Sequence, residues 1–321
     1  MKRVGLFCGG FSSEFEISMK SAQTIVDHFP KEYEIVKIEV TKQGWFVHLP
    51  EGKSLFSLDS CSYFSNGIEQ KIDLGLIYIH GNPGENGKIQ AFLDMKQLPY
   101  VNSSALASEL SFDKWYCNQF LSNFGVKVAK SLFLRSRHEF SEEIIIETLG
   151  LPVFVKPSDS GSSYGISKVS HSQDLKLALD NAFAEGNTVI IESFLKGTEV
   201  TCGVYRKKNG LHALPITEIA SENDFFDYEA KYFGKSQEIT PARISTEERD
   251  KVWEVAKKCY DLLQLRSISR IDFMLVDGEP FVIEVNTTPG FSPASIVPQM
   301  IAADGNTITE FWREIFEVEV K

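Results

Sequence analysis

Two acids and an amide near the end of the chain have the types and spacing of a divalent-metal site. Asp272 lies in the β-rich run Ser269–Val276, and Glu284 and Asn286 lie in a second one, Phe281–Asn286. Asp277-Gly278 stands between them, a strong hairpin signal. Side chains alternate along a strand, so Glu284 and Asn286 share a face. Whether Asp272 joins them depends on loop parity. An odd loop, such as Asp277–Glu279, sets Asp272 opposite Glu284 and Arg270 opposite Asn286. An even loop turns Asp272 and Arg270 to the other face. If the loop is odd, two carboxylates and an amide oxygen converge beside an arginine, and such hard oxygen ligands suit Mg²⁺ together with water and phosphate oxygens. Two inward-facing carboxylates among Phe, Met, Leu, Val and Ile are costly without a cation. The competing reading is the solvated side of an amphipathic hairpin.

A second candidate precedes it. The strand pattern Leu151–Lys156 ends at Pro157 and runs into Ser158-Asp159-Ser160-Gly161-Ser162-Ser163-Tyr164-Gly165. Backbone N–H groups and hydroxyls of such a flap can donate to phosphate oxygens, with Lys156 adding positive charge. Ser and Gly also favour turns for purely local reasons. No GxxxxGK[ST] occurs, so this is no Walker A loop. After Asn286, the turn Thr287–Pro293 leads into a helix near Ala294 or Ser295, whose N-terminus can hold a carboxylate.

These residues need a frame. Val4–Cys8, Tyr33–Val40 and Leu74–Ile79 read as strands, and Ile17–His28 and Gly87–Gln97 as helices. This βαβα order predicts a parallel sheet covered by helices, with ligands beyond the carboxyl ends of its strands, at the loops Gly9–Glu16 and His80–Gly87. From Asn102–Ser104 a mixed unit begins, with a helix at Asp113–Asn123 and strands at Val126–Leu134, Leu151–Lys156, Ile166–Val169 and Thr188–Phe194. The rest carries strands at Glu199–Tyr205 and His212–Ile216, an aromatic loop at Glu222–Lys235, a helix at Glu247–Leu263, the hairpin and terminal helices.

Composition narrows the class. The 321 residues are 43 % hydrophobic and 24 % charged, as expected of a globular chain of two or three units. No apolar run approaches the roughly 18–20 residues of a membrane helix. About five apolar residues before Gly9-Gly10 are too few for a secretory core. Five scattered cysteines without a CxxC pair fit reduced thiols, with Cys117 and Cys202 as core residues. Against 33 basic residues stand 44 acidic ones, a balance opposed to nucleic-acid binding. A cytoplasmic enzyme is expected.

Five blocks in order then resemble the D-alanine–D-alanine ligases of the ATP-grasp superfamily. They are Gly9–Ser18, His80–Gly87, the Lys156 strand with its serine loop, Asp227–Tyr232 and Glu284–Gly290. The resemblance implies an α/β protein of three domains: residues 1–103 an N-terminal parallel α/β domain binding substrate, 104–195 a central unit, 196–321 a catalytic C-terminal unit. ATP is clamped between the last two, both α+β. The implied reaction phosphorylates one D-alanine carboxylate and lets the amine of a second attack the acyl phosphate, for peptidoglycan precursor synthesis.

The resemblance also implies roles residue by residue. Asp272, Glu284 and Asn286 match the ligands of Mg²⁺ (or Mn²⁺), two ions in all. Lys114, Lys156, Ser163 and Lys231 match nucleotide-phosphate groups; Glu192, Phe194 and Leu195 match the adenine hinge and Glu199 the ribose carboxylate. Glu14, Ser162 and Tyr232 match a hydrogen-bonded lid triad, Glu14 also anchoring the first ammonium. Arg270 and the Gly290 N–H match an oxyanion pair. His80 matches a first-substrate residue, and Ser295 with Ile296 the second carboxylate's helix N-terminus. A homodimer is implied, with neither nucleic acid nor membrane as partner. Three positions depart from the pattern: Asn86 stands where Asp is common, Phe226 where Tyr is common, and Thr198 at a variable site. Tyr232 favours the dipeptide reaction over the related D-alanine–D-lactate depsipeptide ligation. The retained metal set and arginine favour an enzyme over a non-catalytic ATP-grasp protein.

Overall fold

A computed structural model of the chain describes every residue except 140, 162, 163, 222–235 and 321, and only the backbone at 221 and 236. The N-terminal strands are β1 (Arg3–Gly9), β2 (Glu34–Thr41), β3 (Gly44–Leu49), β4 (Gly52–Leu55), β5 (Ser62–Ser65), β6 (Ile68–Lys71) and β7 (Leu74–Ile77). A sheet of order β4-β3-β2-β1-β7 results, with β1 parallel to both β2 and β7. The expected parallel core is present. It is extended by an antiparallel edge, β3 on β2 and β4 on β3, and accompanied by a separate β5–β6 hairpin. Strand β1 shows why helices flank both faces. Val4, Leu6 and Cys8 join Ala22 and Ile25 of the helix Phe15–Asp27, whereas Phe7 joins Ile89 and Leu93 of the helix Lys88–Met95.

The central strands β8 (Ser131–Leu134), β9 (Val153–Pro157), β10 (Ser167–Val169) and β11 (Val189–Ser193) form an antiparallel sheet, β10-β9-β11-β8. Val153, Val155, Val169 and Ile191 on one face pack with Leu175, Ala178 and Ala182 of the helix Leu175–Glu185. The third sheet joins β12 (Thr198–Lys207), β13 (Gly210–Ala213), β14 (Thr217–Ser221), β15 (Ser236–Ile239), β16 (Ser269–Val276) and β17 (Glu279–Asn286) in the order β15-β14-β12-β16-β17, with β13 on β12. Its covered face holds Val200, Ile271, Phe273, Val282 and Val285 against the helices Lys114–Asn123 and Thr246–Leu262. The longer helix begins at a capping box, Ser245 with Glu248, which satisfies two amides of its first turn. Burying each such Phe, Ile or Val contributes roughly 1.5–3 kcal/mol.

One core ties the ends of the chain together. Phe291, Phe311 and Trp312 pack with Tyr78 and with the β1 side chains Val4 and Leu6, so the terminal helix Ile308–Glu319 closes against the first sheet.

The hairpin corrects a step in the sequence reasoning. Its loop is even: Val276 pairs with Glu279 across Asp277 and Gly278, both at positive φ (50° and 76°). Parity alone would send Asp272 to the wrong face. A β-bulge intervenes, because Phe273 pairs with Val282 and Asp272 with Glu284, leaving Ile283 as the extra residue. Beyond the bulge Arg270 stands opposite Asn286. The juxtaposition expected from an odd loop is thus achieved by an even loop and one bulge.

Candidate active site

A cavity of about 560 Å³ lies between the central sheet and the third sheet, within the range of small-ligand sites. Lys156 on β9 and Glu192 on β11 form a buried ion pair, Nζ to Oε2 2.6 Å, in its wall. Asn118 Nδ2 donates to the other oxygen of Glu192 at 3.0 Å. Asn118 lies one helical turn beyond Lys114, the spacing that places two residues on one helix face. Phe154, Phe194 and Leu195 supply apolar surface and Glu199 a carboxylate at the start of β12. Lys114, at the first position of its helix, donates to the carbonyl of Ser160 at 2.7 Å and stands 3.4 Å from Glu284 Oε2. Its backbone N–H donates to Ser158 O at 2.9 Å, so the base of the serine loop is tied to this helix.

Across the cleft, Arg270 donates to both oxygens of Asp272, Nε to Oδ1 and Nη2 to Oδ2, each at 2.8 Å. Thr201 on β12, directly opposite Asp272, donates to Oδ1, and Asn286 Nδ2 donates to Oδ2 at 3.0 Å. Burial works against the charge of Arg270, but the charge and hydrogen bonds of Asp272, with Glu284 and Glu85, outweigh it and raise its pKa. Among the described residues no three His, Cys, Asp or Glu side chains cluster to hold a metal. The candidate set is therefore two carboxylates and an amide. Its donor chemistry fits Mg²⁺, which takes few protein ligands and completes its shell with water and phosphate. With Nδ2 engaged, Asn286 keeps its oxygen as the donor atom.

The loops after β1 and β7 meet the serine flap. A methyl group on Gly161 would lie 2.9 Å from Glu14 Oε2, and one on Gly81 3.3 Å from the same oxygen, so the Glu14 carboxylate is lodged between two bare backbones. Glu85 Oε2 accepts from Gly81 N–H at 2.7 Å. Burial, then the negative charge of Glu14, pushes its carboxyl up to about 8. Gly84 has no room for a side chain, since a Cβ would meet Ile79 O at 2.2 Å. Asn86 braces the same loop, with its amide turned to donate to Pro83 O at 3.2 Å and accept from Lys88 Nζ at 3.1 Å.

His80 is buried and braced on both ring nitrogens: Nδ1 donates to Thr288 O at 3.0 Å and Nε2 accepts from Ser21 Oγ at 3.1 Å. Ser21 accepts in turn from Phe291 N–H at 3.2 Å. His80 thus joins the first sheet to the Gly290 turn. Ser295 precedes the helix Ile296–Ala303, but its hydroxyl does not cap that helix; it accepts from Ser292 N–H at 3.0 Å and lies 2.8 Å from Ser292 Oγ. A side chain on Gly290 would approach Ser295 Oγ to 3.0 Å, and Ile296 reaches the main cavity. Ser162, Ser163, Lys231 and Tyr232 lie outside the described residues, as does Phe226. Thr201, Asn118, Ser21 and Glu85 join the site without having been singled out from the sequence. All five cysteines are free and buried, and burial pushes Cys8 and Cys259 up to about 12.

Three sheets with a nucleotide-sized cleft between the central and third ones, lined by Lys156 and Glu192 on one wall and Arg270, Asp272 and Glu284 on the other, are the ATP-grasp architecture. Within it, a family model described as D-ala D-ala ligase N-terminus matches residues 3–103, and one described as D-ala D-ala ligase C-terminus matches residues 120–317. A D-alanine--D-alanine ligase of Phocaeicola vulgatus is 41 % identical, covering 99 % of both chains, and one of Azobacteroides pseudotrichonymphae is 43 % identical at the same coverage. Among solved structures, a D-Ala:D-Ser ligase from Enterococcus faecalis superposes with a TM-score of 0.88 at 28 % identity, covering 99 % of each chain. A D-alanine--D-alanine ligase from Bacillus anthracis complexed with ATP gives 0.80 at 26 % identity, covering 100 % of this chain and 98 % of that one. The chain belongs to the D-alanine–D-alanine ligase family.

Proposed function

We propose that this protein joins two D-alanines to D-alanyl-D-alanine, using ATP, to supply a peptidoglycan precursor. The observation that carries the reading is the register of β16 and β17, which sets Arg270 opposite Asn286 and Asp272 opposite Glu284, with Arg270, Asp272 and Glu284 lining the cleft that Lys114 and Lys156 enter. A carboxylate acylates an amine only after one of its oxygens becomes a leaving group. The first D-alanine's carboxylate oxygen attacks the γ-phosphorus and the bond to ADP breaks. The second amine then attacks the carbonyl carbon of the acyl phosphate, and inorganic phosphate leaves with that oxygen.

Both steps gather negative charge. Lys114 and Lys156 offset it at the phosphates, and Arg270 with the Gly290 N–H offsets it at the tetrahedral oxyanion. Asp272, Glu284 and Asn286 would hold Mg²⁺ or Mn²⁺, two ions in all, which neutralise phosphate charge when bound. Glu14 takes the first ammonium, with Ser162 and Tyr232 as its lid partners and His80 beside it. Ser295 and Ile296 present the helix N-terminus to the second carboxylate. Glu192, Phe194 and Leu195 take adenine, Glu199 the ribose, and Ser163 and Lys231 the phosphates.

Residues 1–103, 104–195 and 196–321 are assigned as substrate, central and catalytic units, in a cytoplasmic homodimer. No helix of the described residues is long and apolar enough to cross a membrane. D-Serine is the second nucleophile to examine, since a D-Ala:D-Ser ligase shares the fold. Incubation with MgATP and D-alanine, with products read by mass spectrometry, should give the dipeptide with one ADP for each. D-Lactate and L-alanine should give none. Product from L-alanine only, or no product, rejects the reading.

A further inference from the structure

Lys168 is a cation at the cleft to which nothing above gives a task. It lies on β10, where Val169 points into the central core, so Lys168 points the other way, to the cavity. Its register partner on β9 is Phe154, and the next neighbour across the sheet, opposite Phe154 on β11, is Glu192. One row across the cleft face of the central sheet therefore reads Lys168, Phe154, Glu192. Phe194, just past β11, leans on this row: its ring centroid is 5.9 Å from that of Phe154, with planes tilted by 37°. The Lys168 ammonium sits over the Phe194 ring, 4.5 Å from its centroid.

A cation over one face of an aromatic ring is drawn to the negative π cloud and fixes the ring's angle. Phe194 is thereby held from one side by Lys168 and braced by Phe154. Its remaining surface is offered to the cavity at an angle that the flanking loop alone would not set. A half-buried phenyl side chain on a segment just beyond a strand end otherwise loses rotamer freedom when a base docks on it. We infer that Lys168 is a positioning residue for nucleotide recognition: it preorganises Phe194 as the platform for the purine base and so contributes to affinity for the nucleoside rather than for the phosphates.

This inference rests on the cleft being the ATP site, and its test separates the two. Binding of ADP and of adenosine is measured by calorimetry, alongside KM for ATP and for D-alanine, in wild type, Lys168→Met, Lys168→Arg, Phe194→Leu and Lys168→Met/Phe194→Leu. Lys168→Met keeps the aliphatic stem and removes the charge. It should weaken ADP and adenosine by the same factor, about 3- to 10-fold, and raise KM for ATP by as much. The change in KM for ATP should exceed that in kcat and in KM for D-alanine. Lys168→Arg should restore affinity, and the double variant should bind no worse than Phe194→Leu alone. Wild-type affinity in Lys168→Met, additive losses in the double variant, or a loss for ADP with none for adenosine would overturn the positioning role. The last result would make Lys168 a phosphate ligand instead. A wild-type protein that binds neither ADP nor adenosine would overturn the assignment of the cleft itself.

Discussion

Arg270 and Asp272, two residues apart on β16, are locked together by two parallel hydrogen bonds of 2.8 Å. A planar guanidinium matches a carboxylate in this way and an ammonium cannot. The pair fixes where positive charge is presented to a developing oxyanion and which way the Asp272 oxygens face. Lys at position 270 keeps the charge and loses the fork. Arg270→Lys should therefore lower kcat about 10²-fold with the fold retained, as read by steady-state kinetics beside a melting curve. Turnover at the wild-type level would remove Arg270 from the chemistry.

Asp272→Asn and Glu284→Gln preserve size and remove one negative charge each. Either should cut kcat by about 10²-fold or more and blunt the Mg²⁺ dependence of ADP binding, measured by calorimetry at graded Mg²⁺. Unchanged Mg²⁺ dependence in both variants would sink the metal assignment.

Lys156 and Glu192 test a different energy. Both are buried, 2.6 Å apart. Removing one partner strands a charge, so Lys156→Met should destabilise the protein by about 3–5 kcal/mol and weaken ATP binding. Adding Glu192→Gln removes the stranded charge and should recover stability without recovering ATP affinity. Urea unfolding and ADP titration check the two readouts separately, and a double variant as unstable as Lys156→Met would contradict the pairing argument.

Glu85 sets a pH dependence. Its carboxyl titrates near 8 in the folded protein because it is buried beside Glu14, against about 4.3 when exposed. Between those values the native state holds a proton that the unfolded chain has released, so this group's contribution is complete at pH 4 and is lost as pH rises toward 8. Glu85→Gln keeps an acceptor for Gly81 N–H and cannot ionise. The wild type should lose stability relative to Glu85→Gln between pH 5 and pH 8, by about 3–4 kcal/mol. Parallel urea curves at both pH values check this; a constant difference would mean that Glu85 ionises normally.

Much of the frame was legible in the sequence because its signals were periodic. The β-rich runs around Asp277-Gly278, the helix beginning near Glu247 and the parallel strands β1, β2 and β7 all stand where apolar spacing put them. Strands β4 and β6 escaped notice because Gly52–Leu55 and Ile68–Lys71 are short, largely polar and exposed, with no buried face to impose alternation. The bulge at Ile283 was illegible for a different reason: Phe281, Val282 and Ile283 are three apolar residues in a row, so the sequence does not mark which one is skipped, and the pairing of Val282 with Phe273 and of Glu284 with Asp272 reveals it. The site was legible as residue types within blocks, but Thr201 and Ser21 carry no motif. Their roles arise from cross-strand and helix–turn neighbours distant in sequence.

The acyl phosphate is the centre of the account, and oxygen tells directly whether it forms. D-Alanine labelled with ¹⁸O in its carboxylate, turned over with MgATP, should transfer one labelled oxygen to each inorganic phosphate released with the dipeptide, read by mass spectrometry or ³¹P resonance shift. Unlabelled phosphate accompanying labelled dipeptide would contradict it.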